Sequence, residues 1–178
     1  MELNIKEPKD IKELQLLLEN NNCIPSNFYV AVEINIFDKD NKWIFMRRGP
    51  GCKDGRFKLE GIGGGVEDTD TNFREALLRE IKEEAGTEAQ IIIKNFLFAR
   101  TEKVYDLHKK EDKFWIILSY IGVLKSGNLQ IMEKTKNLGY EKYNINEINT
   151  KELTDCAKSA YEKISNNWKE LEKELMEE

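Results

Sequence analysis

The stretch Gly63–Gly86, GGGVEDTDTNFREALLREIKEEAG, sets three consecutive glycines before a segment patterned as a helix from about Asn72 to Ala85. With successive residues turned by about 100°, Leu78, Ile81 and Ala85 fall within about 60° of arc and Leu77 extends that stripe. Glu80, Glu83 and Glu84 gather within about 100° on the opposite face. Three carboxylates on an amphipathic helix read most simply as a solvated face, since like charges one turn apart cost only a few tenths of a kcal/mol. The glycine run changes that reading. Consecutive glycines weaken a fold through backbone entropy, and they make sense where the backbone must turn sharply or approach a ligand. A backbone carbonyl beside three carboxylates makes an all-oxygen site, the preference of Mg²⁺ or Mn²⁺, hard cations that also bind substrate phosphates.

Upstream of this stretch, Phe28–Phe37 alternates, with Phe28, Val30, Val32, Ile34 and Ile36 on one side and Glu33 and Asn35 on the other, which predicts a half-buried strand. Asp38–Lys42 predicts a turn and Trp43–Arg48 the returning strand. Gly49–Gly65 holds seven of the chain's eleven glycines and reads as one long loop. Downstream, Ile91–Ala99 and Lys113–Leu124 are strand-like, and Tyr140–Ile145 is a short, weak strand. A helix over about 8–20 and a long one over Asp155–Glu178 flank the whole. The latter carries Ala157, Ala160, Ile164, Trp168, Leu171 and Leu175 three and four apart. Strands on either side of a central helix predict an α/β fold, a mixed sheet packed between helices, as one domain over residues 1–178 with its core at about 28–150.

The 178 residues carry 28 Lys+Arg against 33 Asp+Glu, a net charge of −5. An acidic total argues against broad nucleic-acid binding, which needs a basic face. The longest mostly apolar run, the eleven residues Phe114–Leu124, is short of the about 20 that a spanning helix needs, so no membrane partner is expected. Cys23, Cys52 and Cys156 are odd in number and far apart, and read as free thiols in a reducing, cytoplasmic setting.

The stretch resembles the Nudix box of the Nudix hydrolases, G-x5-E-x7-R-E-U-x-E-E-x-G-U with U apolar. Arg79, Glu80, Ile81, Glu83, Glu84 and Gly86 match, and Thr87 fills the last apolar place. The front half departs. Counting from Gly64, Asp70 stands where the pattern has Glu, with eight residues rather than seven before Arg79. The resemblance implies a Nudix-like α/β/α sandwich with a mixed sheet, extended by the N-terminal and C-terminal helices. It implies that Glu80, Glu83 and Glu84, with a carbonyl of Gly63 or Gly64, hold Mg²⁺ (or Mn²⁺). It also implies that Arg79 braces the loop through Asp70, and that Gly63, Gly65 and Gly86 shape it.

The activity implied is hydrolysis of the pyrophosphate linkage of a nucleoside diphosphate-linked small molecule, such as a nucleoside triphosphate, a sugar nucleotide or a dinucleoside polyphosphate, by metal-activated water. Glu80 and Glu83 would act in catalysis, with Glu80 one candidate for the base that takes the water's proton. Some relatives take the base from a glutamate after the box, for which Glu133 is the first choice and Glu141 the second. Arg47 and Arg48, ending the second strand, are candidates for a substrate phosphate. Tyr105 lies 18 residues past Thr87, where diadenosine-polyphosphate enzymes tend to have a tyrosine. Trp115, Phe57, Phe98 and Tyr105 are candidates for stacking on a base. His108, in a charged loop, is assigned nothing. Two other readings stand beside this one: a nucleotide-binding module that has lost catalysis, motivated by the altered front half, and an RNA cap pyrophosphohydrolase, against which the acidic pI of 5.2 speaks. Nudix proteins are commonly dimers, and the stripe of the C-terminal helix could serve the domain itself or a homodimer.

Overall fold

The structure is a computed structural model and describes residues 1–19, 27–106 and 110–176, with the backbone alone for 104–106. Cys23 and His108 lie outside the described residues. Eight strands form one sheet: β1 (Glu2–Leu3), β2 (Tyr29–Phe37), β3 (Trp43–Arg48), β4 (Leu59–Glu60), β5 (Ile62–Gly65), β6 (Gln90–Asp106), β7 (Glu111–Ser126) and β8 (Asn137–Tyr143). The order is β1-β6-β7-β2-β3-β4, with β5 also paired to β2 and β8 to β3. The sheet is mixed because β2 and β7 run parallel over nine residue pairs, while the other named pairings are antiparallel. Helices α1 (Ile11–Leu18) and α2 (Phe73–Ala85) pack on one face, against Val30, Val32, Ile34 and Ile36. Helices α3 (Asp155–Asn166) and α4 (Trp168–Met176) pack on the other, against Phe37, Trp43, Phe45 and Ile121. This is the expected α/β/α sandwich.

Four expectations change. β2 is buried on both faces, with Glu33 at 9% and Asn35 at 3% exposure, because it lies inside the sheet and α3 and α4 cover its second side. The polar residues there are paired: Arg100 grips Glu33 at 2.6 and 3.1 Å, and the Asn35 amide donates to Ser119 Oγ and the Tyr120 carbonyl. The loop expected over Gly49–Gly65 contains β4 and β5; the glycines of β5 pair with β2, and at Gly63 a Cβ would collide with the Val32 carbonyl and the Glu33 backbone of that strand. The N-terminal residues, for which no element is expected ahead of the helix at about residue 8, supply β1, anchored by buried Leu3 against Ala99 of β6. The long C-terminal helix breaks at Asn167, whose carbonyl accepts from Glu170 and Leu171 as α4 starts afresh. Its stripe (Ala157, Ala160, Ile164, Leu175) is buried in the domain's own core, with Trp168 and Leu171 packed against it, and so is taken up without a second subunit.

A candidate active site between the glycine strand and the second helix

α2 starts where Asn72, in extended backbone, accepts the Glu75 N–H at 2.9 Å, a side-chain cap on the first turn. The Phe73 N–H donates to the Lys9 carbonyl, tying the helix start to the N-terminal segment. Its end is set at Gly86, with φ of +78°, where a Cβ would stand 2.0 Å from the Gln130 side-chain oxygen. The Gln130 N–H donates to the Ala85 carbonyl, and the Tyr140 hydroxyl donates to the Glu84 carbonyl at 2.9 Å. The buried positions are Phe73, Ala76, Leu77, Glu80, Ile81 and Ala85. Two corrections follow. Leu78 is 51% exposed, so Leu77 and not Leu78 belongs at the centre of the buried arc. Glu80, expected on the solvent face, lies in that arc with its residue 8% exposed.

Glu80 can be there because of Gly64. A Cβ on Gly64 would meet the Glu80 carboxyl carbon and both oxygens at 2.5 Å. The absent side chain is the space that this carboxylate occupies. One residue back, the Gly63 N–H donates to Glu84 Oε2 at 3.1 Å. β5 and α2 are thus joined by a carboxylate lying against a missing Cβ and by a carboxylate on a backbone donor.

Arg79 binds the region together. Its Nε and Nη2 grip Asp70 at 3.1 and 2.9 Å, its Nη2 also donates to the Gly65 carbonyl at 2.8 Å, and its Nη1 reaches Glu80 at 2.8 Å and Glu83 at 3.3 Å. Asp70 additionally accepts the Glu67 N–H at 2.8 Å. The Arg79 hydrogen bonds, ahead of the opposing effect of burial, hold the Asp70 carboxyl below its ordinary range. A shorter carboxylate placed one residue further from Arg79 therefore still makes the two-pronged pair that a guanidinium favours.

A cleft of about 640 Å³ opens beside this array, lined by Gly63 to Glu67, Arg79, Glu80, Glu83 and Glu84, and closed on one side by Glu133 and Lys136. Burial pushes the Glu84 carboxyl up to about 7, and the charges of Glu80 and Glu133 add to that; the Gly63 N–H and, through space, Arg48 offset it only in part. Burial likewise raises Glu80, against the pull of Arg79. Carboxylates crowded and desolvated in this way lack positive charge, and a hard cation is the group that fits an all-oxygen lining. Among the described residues no three Asp, Glu, Cys or His side chains already converge on one point, since Arg79 holds Glu80 and Glu83.

Other expected site residues lie elsewhere. Arg47 is saturated by Glu141 (2.6 and 2.8 Å), Glu152 (3.0 Å) and the Phe57 carbonyl (2.8 Å). Arg48 is paired with Glu60 and with Asp54 (2.5 Å). Neither lines the cleft, because both are neutralised by carboxylates of neighbouring elements. Glu141, bound to Arg47, is likewise outside it, whereas Glu133 is in the wall. Tyr105 is in β6 and its side chain lies outside the described residues. Lys136 was missed. Its Nζ lies 2.7 Å from Glu133, and a lysine three residues after a candidate base was the available signal.

Residues 28–164 match the NUDIX domain, so the chain belongs to that family. Its members are pyrophosphohydrolases acting on acid anhydrides, in general on nucleoside diphosphate derivatives. Solved structures share the fold at low identity. The MutT protein of Methanosarcina mazei Go1 has a TM-score of 0.66 at 14% identity, over 82% of this chain and 99% of that one. The NUDIX domain of Shewanella oneidensis NrtR, complexed with ADP ribose, has 0.58 at 12%, over 87% and 97%. A C. elegans Ap4A hydrolase binary complex has 0.58 at 14%, over 80% and 98%. No curated protein matches the chain.

Proposed function

We propose that this chain is a Mg²⁺-dependent (or Mn²⁺-dependent) hydrolase that cleaves the pyrophosphate linkage of a nucleoside diphosphate-linked small molecule. The observation that carries the reading is the Gly64–Glu80 contact, a missing side chain that admits a buried carboxylate beside Glu83 and Glu84. A diphosphate could not enter so acidic a cleft without cations. Glu80, Glu83 and Glu84 would hold the ion, with a carbonyl of Gly63 or Gly64. Once bound, it neutralises phosphate oxygens and supplies an activated water. Glu83, with its side chain 55% exposed, has room to turn from Arg79 into the cleft. Arg79 fixes the glycine strand against α2 through Gly65 and Asp70, so the donors keep their places. Glu133, in the cleft wall, would accept the proton of the attacking water, and Lys136, 2.7 Å away, would steady that carboxylate. The relatives solved with ADP ribose and as an Ap4A hydrolase support a nucleotide substrate.

The test is release of phosphate or pyrophosphate from a panel of nucleoside triphosphates, sugar nucleotides and dinucleoside polyphosphates, with and without Mg²⁺. Turnover should depend on the ion. Glu83→Gln and Glu84→Gln should each lower it by at least about 100-fold, the loss expected when an ion's own ligands are removed. Full activity in both variants would overturn the ligand assignment. A wild type inactive on every compound, yet binding nucleotides, would favour a binding module.

A further inference from the structure

Of the aromatic residues singled out in the sequence, Phe98 is buried, with Arg100 over its ring at 5.7 Å, and Phe57 sits on a loop away from the cleft. Trp115 is different. Trp115 of β7 and Tyr29 of β2 are register partners in the parallel pairing, so both project from the same face of the sheet. Their ring centres are 5.1 Å apart with planes inclined by 31°. Tyr29 is 42% exposed, and the Lys113 ammonium stands 5.1 Å from its ring centre. Trp115 is thus backed by a second ring. The next position along this face of β2 is Ala31, which pairs with Ile117 on one side and with Gly65 on the other. The six-membered ring edge of Trp115 lies 3.9 Å from the point that a Gly65 Cβ would occupy. Gly65 itself lines the acidic cleft and its carbonyl holds Arg79. A flat aromatic wall therefore reaches the rim of the cleft at Gly65, on the sheet face opposite to the one where Gly64 admits Glu80.

We infer that Trp115, buttressed by Tyr29, is the stacking platform for the nucleobase of the substrate, with the sugar crossing Ala31 and Gly65 and the diphosphate in the cleft. This rests on the reading of the cleft as a diphosphate site. The occupant is a planar base rather than a second protein chain because the wall ends at Gly65, a glycine of the cleft's own rim, beyond which the lining is carboxylates and glycines. Such a lining suits a ligand with an aromatic end and an anionic end. A base stacks on an aromatic ring whatever its identity, so the platform favours nucleotides over base-free diphosphates.

Binding of ADP, UDP and inorganic pyrophosphate, each with Mg²⁺, measured by calorimetry on wild type, Trp115→Ala, Trp115→Phe and Tyr29→Ala, tests it. Wild type should bind the nucleotides more tightly than pyrophosphate. Trp115→Ala should weaken the nucleotides by about 10-fold or more and leave pyrophosphate unchanged. Trp115→Phe, keeping a ring, should recover most of the loss, and Tyr29→Ala should give a smaller one. The intrinsic fluorescence quenched by ADP in wild type should lose that response in Trp115→Phe, since Trp43 is buried in the core and Trp168 packs against Phe37 away from the cleft. Equal loss for nucleotides and pyrophosphate, or no loss at all, would overturn the platform alone. So would a change of oligomeric state in Trp115→Ala on sedimentation, which would make the wall an interface between copies. Failure of wild type to bind any of the three would overturn the diphosphate reading and the platform with it.

Discussion

Arg79 and Arg47 both grip a carboxylate with two guanidinium nitrogens, and both donate to a backbone carbonyl. Both side chains are 21% exposed. The difference is in their remaining partners. Arg47 ties β3 to Glu141 of β8 and to Glu152, none of which lines the cleft. Arg79 ties Asp70 and the glycine strand to Glu80 and Glu83, which do. One arginine closes a circuit within the scaffold and the other closes it around the candidate ion site. An arginine at a strand end before a glycine loop reads as a phosphate contact only while its guanidinium is taken to be free. At Arg47 three structural acceptors, Glu141, Glu152 and the Phe57 carbonyl, already engage it.

The largest effect should separate the glutamates that accompany these two arginine regions. Glu133→Gln should lower kcat by about 100-fold or more if Glu133 is the proton acceptor, the usual contribution of a positioned base. Glu141→Gln should leave turnover unchanged, because Glu141 serves Arg47. The reverse result would return the base to β8 and break the comparison. Next comes the pair Arg79→Lys and Arg47→Lys. A lysine cannot reproduce a two-pronged grip with further bonds to other acceptors. Arg79→Lys should therefore cost about 10- to 100-fold in activity by loosening the groups behind the ion ligands. Arg47→Lys should cost no more than about 1 kcal/mol of stability, read by chemical denaturation, with activity intact. Equal kinetic losses would mean that Arg47 reaches the substrate after all.

The same contrast shows what was legible before the structure. The helix from about Asn72 and its carboxylate set follow from local spacing, because α2 is built from neighbours in sequence, and the Arg79–Asp70 pair follows from the resemblance to the Nudix box. The mixed sheet between helices was legible from the order of strands and helix. The burial of Glu80 was not, since an acidic residue within a helix pattern looks solvated until Gly64, sixteen residues earlier, is seen to leave it space. Nor was the saturation of Arg47, whose partners Glu141 and Glu152 lie about a hundred residues away. β4 and β5 hid in the glycine loop because strands of two and four residues have too little alternation to register. Trp115 and Tyr29 were both visible as aromatics. Only the parallel register of β2 and β7 brings them side by side.

The smallest effect concerns acid stability, and it distinguishes the two arginine partners by exposure. Arg79 holds the Asp70 carboxyl below its ordinary range, and Arg47 does the same for Glu141; in each case the arginine's hydrogen bond is the leading cause. A carboxyl whose folded value is depressed binds fewer protons folded than unfolded, so it adds stability above its unfolded value, near 4. That stability is lost as pH falls through the folded value. The Asp70 side chain is 6% exposed and Glu141 is 35% exposed, so solvent screens the second pair far more. Asp70→Asn should therefore lose about 1–2 kcal/mol at neutral pH, the scale of a charged hydrogen bond away from water. Glu141→Gln should lose less than about 1 kcal/mol. Denaturant unfolding followed from pH 7 down to about pH 3 should show the Asp70→Asn curve converging on wild type as Asp70 protonates. A gap that stays constant with pH would mean that the asparagine of Asp70→Asn is misfitted at this site at any pH, its amide NH₂ facing the Arg79 guanidinium, rather than that the charge of Asp70 is what is lost.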